Sequence, residues 1–378
     1  MEALFWLMFI MVIYTYFGYP LLNLVISLFI NNRVNKKEIE PSVTFLITAY
    51  NEERHIREKL ENTLGLDYPR DKLEIIVASD ASSDQTDQIV REFVKSGVKL
   101  FRVEGRVGKT EVQNQAVNTA RGEIVIFSDA TTKYEKSAIR KIVRNYADPA
   151  VGAVSGRYKY FDPNHTQIGT GTIAFWDYEN FIKIKQTQIK TITGCCGCIY
   201  SVRKNLYQPL PQDIISDLVE PLKILEQGYR IVFEPEALAY ELTSQDSNEE
   251  FRMRVRVISR GMRGLLYMKQ LFNPFRYGFV SFQLISHKVL RWILPLFAIT
   301  LYAANIYLIN KNNFYFFTFW LQSVFYILAL IGLILDAIGK KSKILSFPLY
   351  FCVVNIASLV ALIRTIVKKK DIAWQTLR

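Results

Sequence analysis

Four stretches without a charged residue bracket an ordinarily charged middle, and this pattern constrains the chain more than any other feature. Residues 3–32 carry no charge, and neither do 292–310, 312–335 and 344–363. Crossing a hydrocarbon core takes about 20 apolar residues. Four such runs, rich in Phe, Leu, Ile and Tyr, are too many to be buried helices of one soluble core. The sequence therefore predicts a transmembrane anchor over 1–32, a water-exposed domain, a membrane region over 292–367 with about three spans, and a basic tail over 368–378. The first run is too long for the apolar part of a signal peptide and lacks a small-residue cleavage site, so it is expected to stay as an anchor.

Lys and Arg beside the spans set the expected orientation. Arg33, Lys36 and Lys37 follow the first run while only the N-terminal amine precedes it, which places the middle domain in the cytosol. Lys340, Lys341 and Lys343 mark a second cytosolic turn, with the short Lys311-Asn-Asn loop outside. The tail Lys368-Lys-Lys-Asp371 conflicts with this scheme: counting four crossings puts it outside, and its charge puts it inside. Either one apolar run is re-entrant or the tail breaks the rule. The expected location is the plasma (inner) membrane, crossed several times. The net charge of +12 needs no nucleic acid, because much of the excess sits beside spans, where membrane lipids supply anionic headgroups. Four Cys and three His are too few for a disulfide scaffold or a metal cage. Cys195, Cys196 and Cys198 cluster without a nearby His, and read as small residues of a Gly-containing loop.

Within the middle domain, apolar runs over 42–49, 73–80, 99–103 and 123–128 alternate with helical patterns that end near 65 and span 110–120. Such alternation predicts a largely parallel sheet with covering helices, an α/β domain. Ser82-Ser83-Asp84 offers acceptors for the free N–H groups of a helix start. Asp80 and Asp129 close two of these strands, and an open α/β sheet binds ligands beyond its strand ends. Two carboxylates there, in a basic chain, point to a metal ion and a phosphorylated ligand. Gly108-Lys109-Thr110 lacks the first glycine of a P-loop, since position 103 is Val; Lys109 is either a phosphate contact or a solvated turn lysine. Beyond Asp129 the pattern loosens, as in a half-domain that builds the far side of a cleft. Asp217 opens a helix that closes at Gln227-Gly228, and Tyr229–Phe233 reads as a last strand.

Pro41-Ser-Val-Thr-Phe-Leu-Ile-Thr-Ala-Tyr-Asn-Glu-Glu53, Ala78-Ser-Asp-Ala-Ser-Ser-Asp-Gln-Thr86 and Phe127-Ser-Asp-Ala-Thr131 together resemble family 2 glycosyltransferases of the GT-A fold. Thr193-Gly-Cys-Cys-Gly-Cys-Ile-Tyr-Ser-Val-Arg203, Ile215-Ser-Asp217 and Gly228-Tyr-Arg-Ile-Val-Phe-Glu-Pro-Glu-Ala237 continue the likeness in the same order, over roughly 41–270. The resemblance implies a Rossmann-like GT-A domain over 33–250 that binds a nucleotide-diphospho-sugar. Tyr50 and Glu52 would border the base and ribose, with Asp80 accepting hydrogen bonds from one of them. Asp129 would be the metal ligand of an Asp-x-Asp motif whose second Asp is Thr131 here, so that one carboxylate anchors Mg²⁺ or Mn²⁺. Asp217 would be the general base of an inverting transfer, although the acidic residue that usually precedes it is Ser216 here.

The similar cellulose, hyaluronan and poly-N-acetylglucosamine synthase-like enzymes carry a Gln-x-x-Arg-Trp motif that this chain lacks. In its place stands a basic stretch opening the interfacial segment 251–291, where Arg252, Arg256, Arg260 and Arg263 share a helical face. Arg256 and Arg260 are expected to grip the diphosphate, with anionic lipid or plain solvation as the other uses of the face. Gln283–Trp292 reads as an interfacial helix, and His287 within it lacks a catalytic partner. The expected activity is hexosyl or N-acetylhexosaminyl transfer from a UDP-sugar to a growing exported or cell-surface glycan. The alternative is transfer of one sugar to a lipid-linked acceptor at the cytosolic leaflet. A non-catalytic scaffold would not need Asp80, Asp129 and Asp217 together, and an ATP-driven transporter would need a complete P-loop.

Overall fold

The structure is a computed structural model and describes residues 1–367; the tail over 368–378, with its charge conflict, lies outside the described residues. One eight-stranded sheet organises the middle domain: β1 (Val43–Ala49), β2 (Leu73–Ser79), β3 (Val98–Arg102), β4 (Ile124–Asp129), β5 (Lys133–Tyr134), β6 (Val151–Phe161), β7 (Tyr200–Arg203) and β8 (Arg230–Leu242), in the order β3-β2-β1-β4-β7-β6-β8-β5. The four strands read from the sequence are β1 to β4, and their pairings are all parallel. Both faces of β1, β2 and β4 are largely covered, which is why they are mostly apolar runs, whereas the edge strand β3 leaves Lys99 and Arg102 exposed. Phe45, Ile47, Val77 and Ile126 pack on one face, and Leu46, Ile76, Val125 and Phe127 on the other.

The second half is mixed rather than formless. β7 runs antiparallel to β4 and β6, and β8 pairs parallel with β6 along most of its length. The expected last strand Tyr229–Phe233 is the first part of β8, which continues to Leu242. Strand β6 went unread because Gly152 and Gly156 interrupt its pattern. Both are packing positions: a Cβ at Gly152 would lie 2.5 Å from Ile224, and one at Gly156 2.6 Å from Ile199.

Four helices are long and apolar enough to cross a membrane: Glu2–Phe29, Phe279–Leu308, Asn313–Ala337 and Lys343–Ile366. The second begins well before residue 292, so the Gln283–Trp292 segment is its first turns, joined through a π-helical turn at Ile285–Val289. Glu2 and Lys311 form an ion pair of 2.7 Å, which sets the chain's start and the 309–312 loop at one end of the bundle. At the other end Ser247 N donates to Asp336 Oδ2 at 3.0 Å and Gln167 Nε2 to the Lys340 carbonyl at 3.0 Å, on the middle domain's side. Helix Lys343–Ile366 departs from the expected pattern. Leu349, Tyr350 and Val353 pack against Ile168, and Ala361 packs against Ile258 and Met262, so the helix lies along the middle domain for most of its length.

Candidate active site

In register, Thr48 of β1 faces Asp129 of β4, and Ala49 faces Ser79 of β2, so Asp80 and Asp129 leave the sheet on either side of one strand end. They do different things there. Asp80 is fully buried, and its oxygens accept from the N–H groups of Val107 (2.8 Å) and Gly108 (3.1 and 3.2 Å). It fastens the loop before Lys109 and does not line the cleft. Gly108 turns that loop at φ +88°, a left-handed angle that glycine adopts without strain. Lys109 then opens helix Lys109–Thr119 and forms an ion pair with Asp129 Oδ1. Burial pulls the Lys109 ammonium down, and the Asp129 carboxylate beside it more than restores it, so its pKa is raised. Tyr50 stacks under the Arg106 guanidinium, 3.7 Å from the ring centroid, beside the lined cleft. Glu52 lines the cleft, with its N–H donating to Thr86 Oγ1 at 2.8 Å.

Asp217 lines the same cleft, in the first turn of helix Ser216–Glu226. Its backbone carbonyl accepts from the Cys195 N–H at 2.9 Å, which docks the Gly194-Cys-Cys-Gly loop against it. A Cβ at Gly197 would sit 2.7 Å from Asp217 Oδ2, so only glycine allows this approach. Burial raises the pKa of Asp217, Lys109 lowers it, Asp129 raises it again, and Lys288 and Arg260 lower it; the net shift is upward. Arg260 braces this wall: its Nη2 donates to Thr110 Oγ1 (3.1 Å) and to the carbonyls of Gln212 (3.1 Å) and Ile214 (2.7 Å). Arg256 and Arg260 line the cleft as expected, whereas Arg252 is exposed. Arg254, outside the four-residue spacing, lines it as well, tied to Glu250 (2.7 Å) and Tyr350 (2.6 Å).

Several cleft residues had no sequence signal. Tyr158 and Tyr160 from β6 and Trp176 from helix Gln167–Ile189 form an aromatic wall, with the Trp176 ring 5.4 Å from Tyr158. Glu241, near the end of β8, accepts from Thr131 Oγ1 at 2.9 Å and Thr132 Oγ1 at 3.2 Å. A carboxylate absent from position 131 in sequence is therefore supplied behind it in space. The alternation Arg157-Tyr-Lys-Tyr160 marks a half-buried strand, but nothing in it points to a cleft. Among the described residues no three His, Cys, Asp or Glu side chains cluster to form a metal cage. Asp129 offers a hard oxygen to the cleft, which fits an ion that takes one carboxylate and completes its shell with substrate phosphates and water.

A parallel half that presents acids at its strand ends, closed by a mixed half bearing an acid at a helix start, defines a glycosyltransferase domain of the GT-A fold, here joined to four apolar helices. Residues 44–210 match the model of Glycosyl transferase family 2, and the chain carries a domain of that family. Asp217 lies just beyond the matched residues. The probable glycosyltransferase YdaM of Bacillus subtilis (strain 168) is 30% identical over 239 residues, 59% of this chain and 56% of that protein. The poly-beta-1,6-N-acetyl-D-glucosamine synthase of Staphylococcus aureus (strain COL) is 28% identical over 239 residues, 62% of this chain and 57% of the relative. The chain thus spans little more than half the length of these relatives. The solved structure of the mannosyltransferase PcManGT from Pyrobaculum calidifontis, in complex with GDP-Man and Mn²⁺, shares the fold at TM-score 0.73 and 21% identity, covering 98% of this chain and 99% of that one.

Proposed function

We propose that the protein is a membrane-bound inverting glycosyltransferase that moves a sugar from a UDP-sugar to a growing exported or cell-surface polysaccharide, working at the cytosolic leaflet of the plasma membrane. The observation that carries this is one cleft lined by Lys109, Asp129 and Asp217 together. Lys109, Arg256 and Arg260 supply cations to a diphosphate, Tyr50 and Glu52 border the nucleoside, and Asp80 holds the Lys109 loop in place. Asp129 would hold Mg²⁺ or Mn²⁺, which when bound stabilises negative charge on the departing diphosphate as a Lewis acid. An acceptor hydroxyl attacks the anomeric carbon from the face opposite the diphosphate. The new C–O bond forms as the bond to the diphosphate breaks, and Asp217 takes the hydroxyl proton. The name of the S. aureus relative supports polymer synthesis, and the aromatic wall suits the face of a sugar ring.

The test is nucleotide diphosphate release by full-length protein in detergent across a panel of sugar nucleotides. Asp217→Asn is expected to lower turnover at least about 100-fold, the scale of one general base, while nucleotide binding persists. Asp129→Ala is expected to weaken nucleotide binding to the level produced by chelation. Unchanged turnover in Asp217→Asn would remove Asp217 as the base, and nucleotide binding that survives both chelation and Asp129→Ala would remove the metal.

A further inference from the structure

We infer that Glu241 is a positioning residue for a divalent cation at Asp129: it holds the turn Asp129-Ala-Thr-Thr132 by its two threonine hydroxyls and supplies the negative charge that position 131 lacks. This rests on the reading of Asp129 as the metal ligand, and names the residue that lets one carboxylate suffice there. Asp129 ends β4, and β5 follows at once, pairing with β8 through Lys133 and Tyr240. That pairing sets Glu241, the next residue of β8, against the turn between the two strands. Glu241 Oε1 accepts from Thr131 Oγ1 at 2.9 Å, and Oε2 accepts from Thr132 Oγ1 at 3.2 Å and from the Tyr158 hydroxyl. Asp129, Thr131, Tyr158 and Glu241 all line the cleft.

Charge explains why a second acid is needed. Asp129 is already paired with the Lys109 ammonium, and a carboxylate and an ammonium together offer a dication no net attraction. Glu241 adds negative charge to the same turn. Its effect reaches the cleft through Thr131: that hydroxyl gives its proton's hydrogen bond to Glu241, which leaves its oxygen as an acceptor. The counter-charge on the far side is Lys59, buried on helix Ile56–Leu64. Burial pulls its ammonium down to about 7, against the pull of Cys198, Asp129 and Glu241. At neutral pH it therefore offsets the two acids only in part.

The same contacts fix the turn in place. Lys59 Nζ donates to the Thr132 carbonyl at 2.6 Å and lies 4.3 Å from the centroid of the Tyr134 ring. Thr132 is thus held at its carbonyl from one side and at its hydroxyl from the other. Asn62, one turn along the helix from Lys59, accepts from the Tyr134 N–H at 2.8 Å and donates to the Tyr134 carbonyl at 2.9 Å. Groups that orient a metal ligand without touching the ion set its affinity, and losing one costs about 10–100-fold. Glu241 has that place here, bonded to the residues just after Asp129 and open to the cleft.

Mn²⁺ titrated into full-length protein with UDP present, the free ion read by electron paramagnetic resonance, tests the inference. Glu241→Gln is expected to weaken Mn²⁺ binding about 10–100-fold. Thr131→Val keeps the buried acid and cuts the link, and should weaken binding in the same direction. Moving the carboxylate separates positioning from packing: Thr131→Asp in the Glu241→Gln background should recover most of the affinity. In the presence of Glu241 it should not, because two adjacent carboxylates repel. Near-ultraviolet circular dichroism shows whether each variant folds, and Thr131→Val decides the matter if Glu241→Gln does not. Wild-type affinity in either single variant, or a loss that Thr131→Asp leaves in place, overturns the inference. Asp129→Ala separates the two readings. If it binds Mn²⁺ as wild type does, the metal site at Asp129 falls and Glu241 with it; if it loses Mn²⁺ while Glu241→Gln does not, only Glu241 is removed.

Discussion

At the scale of single residues the site is a balance of charges around Asp217. Its carboxyl is raised by burial and restrained by Lys109. A general base must be ionised, so turnover falls as pH drops through its pKa. Removing the restraint moves that fall upward. Lys109→Met is therefore expected to shift the acid limb of kcat to higher pH, besides weakening diphosphate binding. A Lys109→Met enzyme that is slower but whose acid limb stays in place would show that Lys109 does not act on the base. How much of this was legible depended on where each side chain spends its hydrogen bonds. Asp129 and Asp217 both line the cleft, where a strand end and a helix start put them. Asp80 could be placed at the sheet's edge, but its satisfaction by the Val107 and Gly108 N–H groups is a property of a loop no pattern encodes. Glu241 and Trp176 were invisible because they reach the cleft by tertiary packing, Glu241 paired with Tyr160 and Trp176 against Tyr158, not by spacing.

Among elements, β1, β2 and β4 were readable because they are buried on both faces and so carry mostly apolar runs, and the edge strand β3 because Val98, Leu100 and Phe101 still mark it. Helix Ser247–Tyr267 was read only as a row of arginines, and its other faces matter as much. Asp246 caps it, accepting from the N–H groups of Asn248 (2.8 Å) and Glu249 (2.9 Å). Its glycines let it sit close to its neighbours: a Cβ at Gly264 would lie 2.5 Å from Val219 and one at Gly261 2.8 Å from Trp292. Val219 is on the helix that begins beside Asp217, so these contacts fix the arginine row relative to the base. Gly264→Ala overpacks this seam, and such insertions cost about 1–3 kcal/mol. The expected result is a lower thermal unfolding midpoint together with a lower kcat, and no change in either would mean that the seam is slack.

For the whole molecule, the packing of the last apolar helix bears on how many times the chain crosses the membrane. Lys343–Ile366 starts beside Gln167 and Gly332, at the catalytic end of the bundle. It packs on the bundle as well as on the middle domain, with Phe351 5.3 Å from Phe325 and Asn355 beside Tyr16. Arg254 donates to Tyr350 near its start, and Thr365 donates to Met262 Sδ at 3.6 Å near its finish. Arg254 and Met262 both belong to helix Ser247–Tyr267, so the two helices run side by side. A helix crossing to the far leaflet would part from the catalytic domain along its length, as Asn313–Ala337 does between Asn312 and Asp336. We propose that Lys343–Ile366, held along the middle domain in this way, stays on that domain's side with its apolar outer face against lipid. Three crossings would then remain, with Asn312 and the middle domain expected on opposite sides of the membrane. Single cysteines placed at Asn312 and at Arg378 of a cysteine-free variant distinguish the alternatives in intact cells. An impermeant maleimide should label the first and reach the second only after the membrane is opened. Labelling of Arg378→Cys from outside would restore a fourth crossing and detach the last helix from the arginine row that it buttresses.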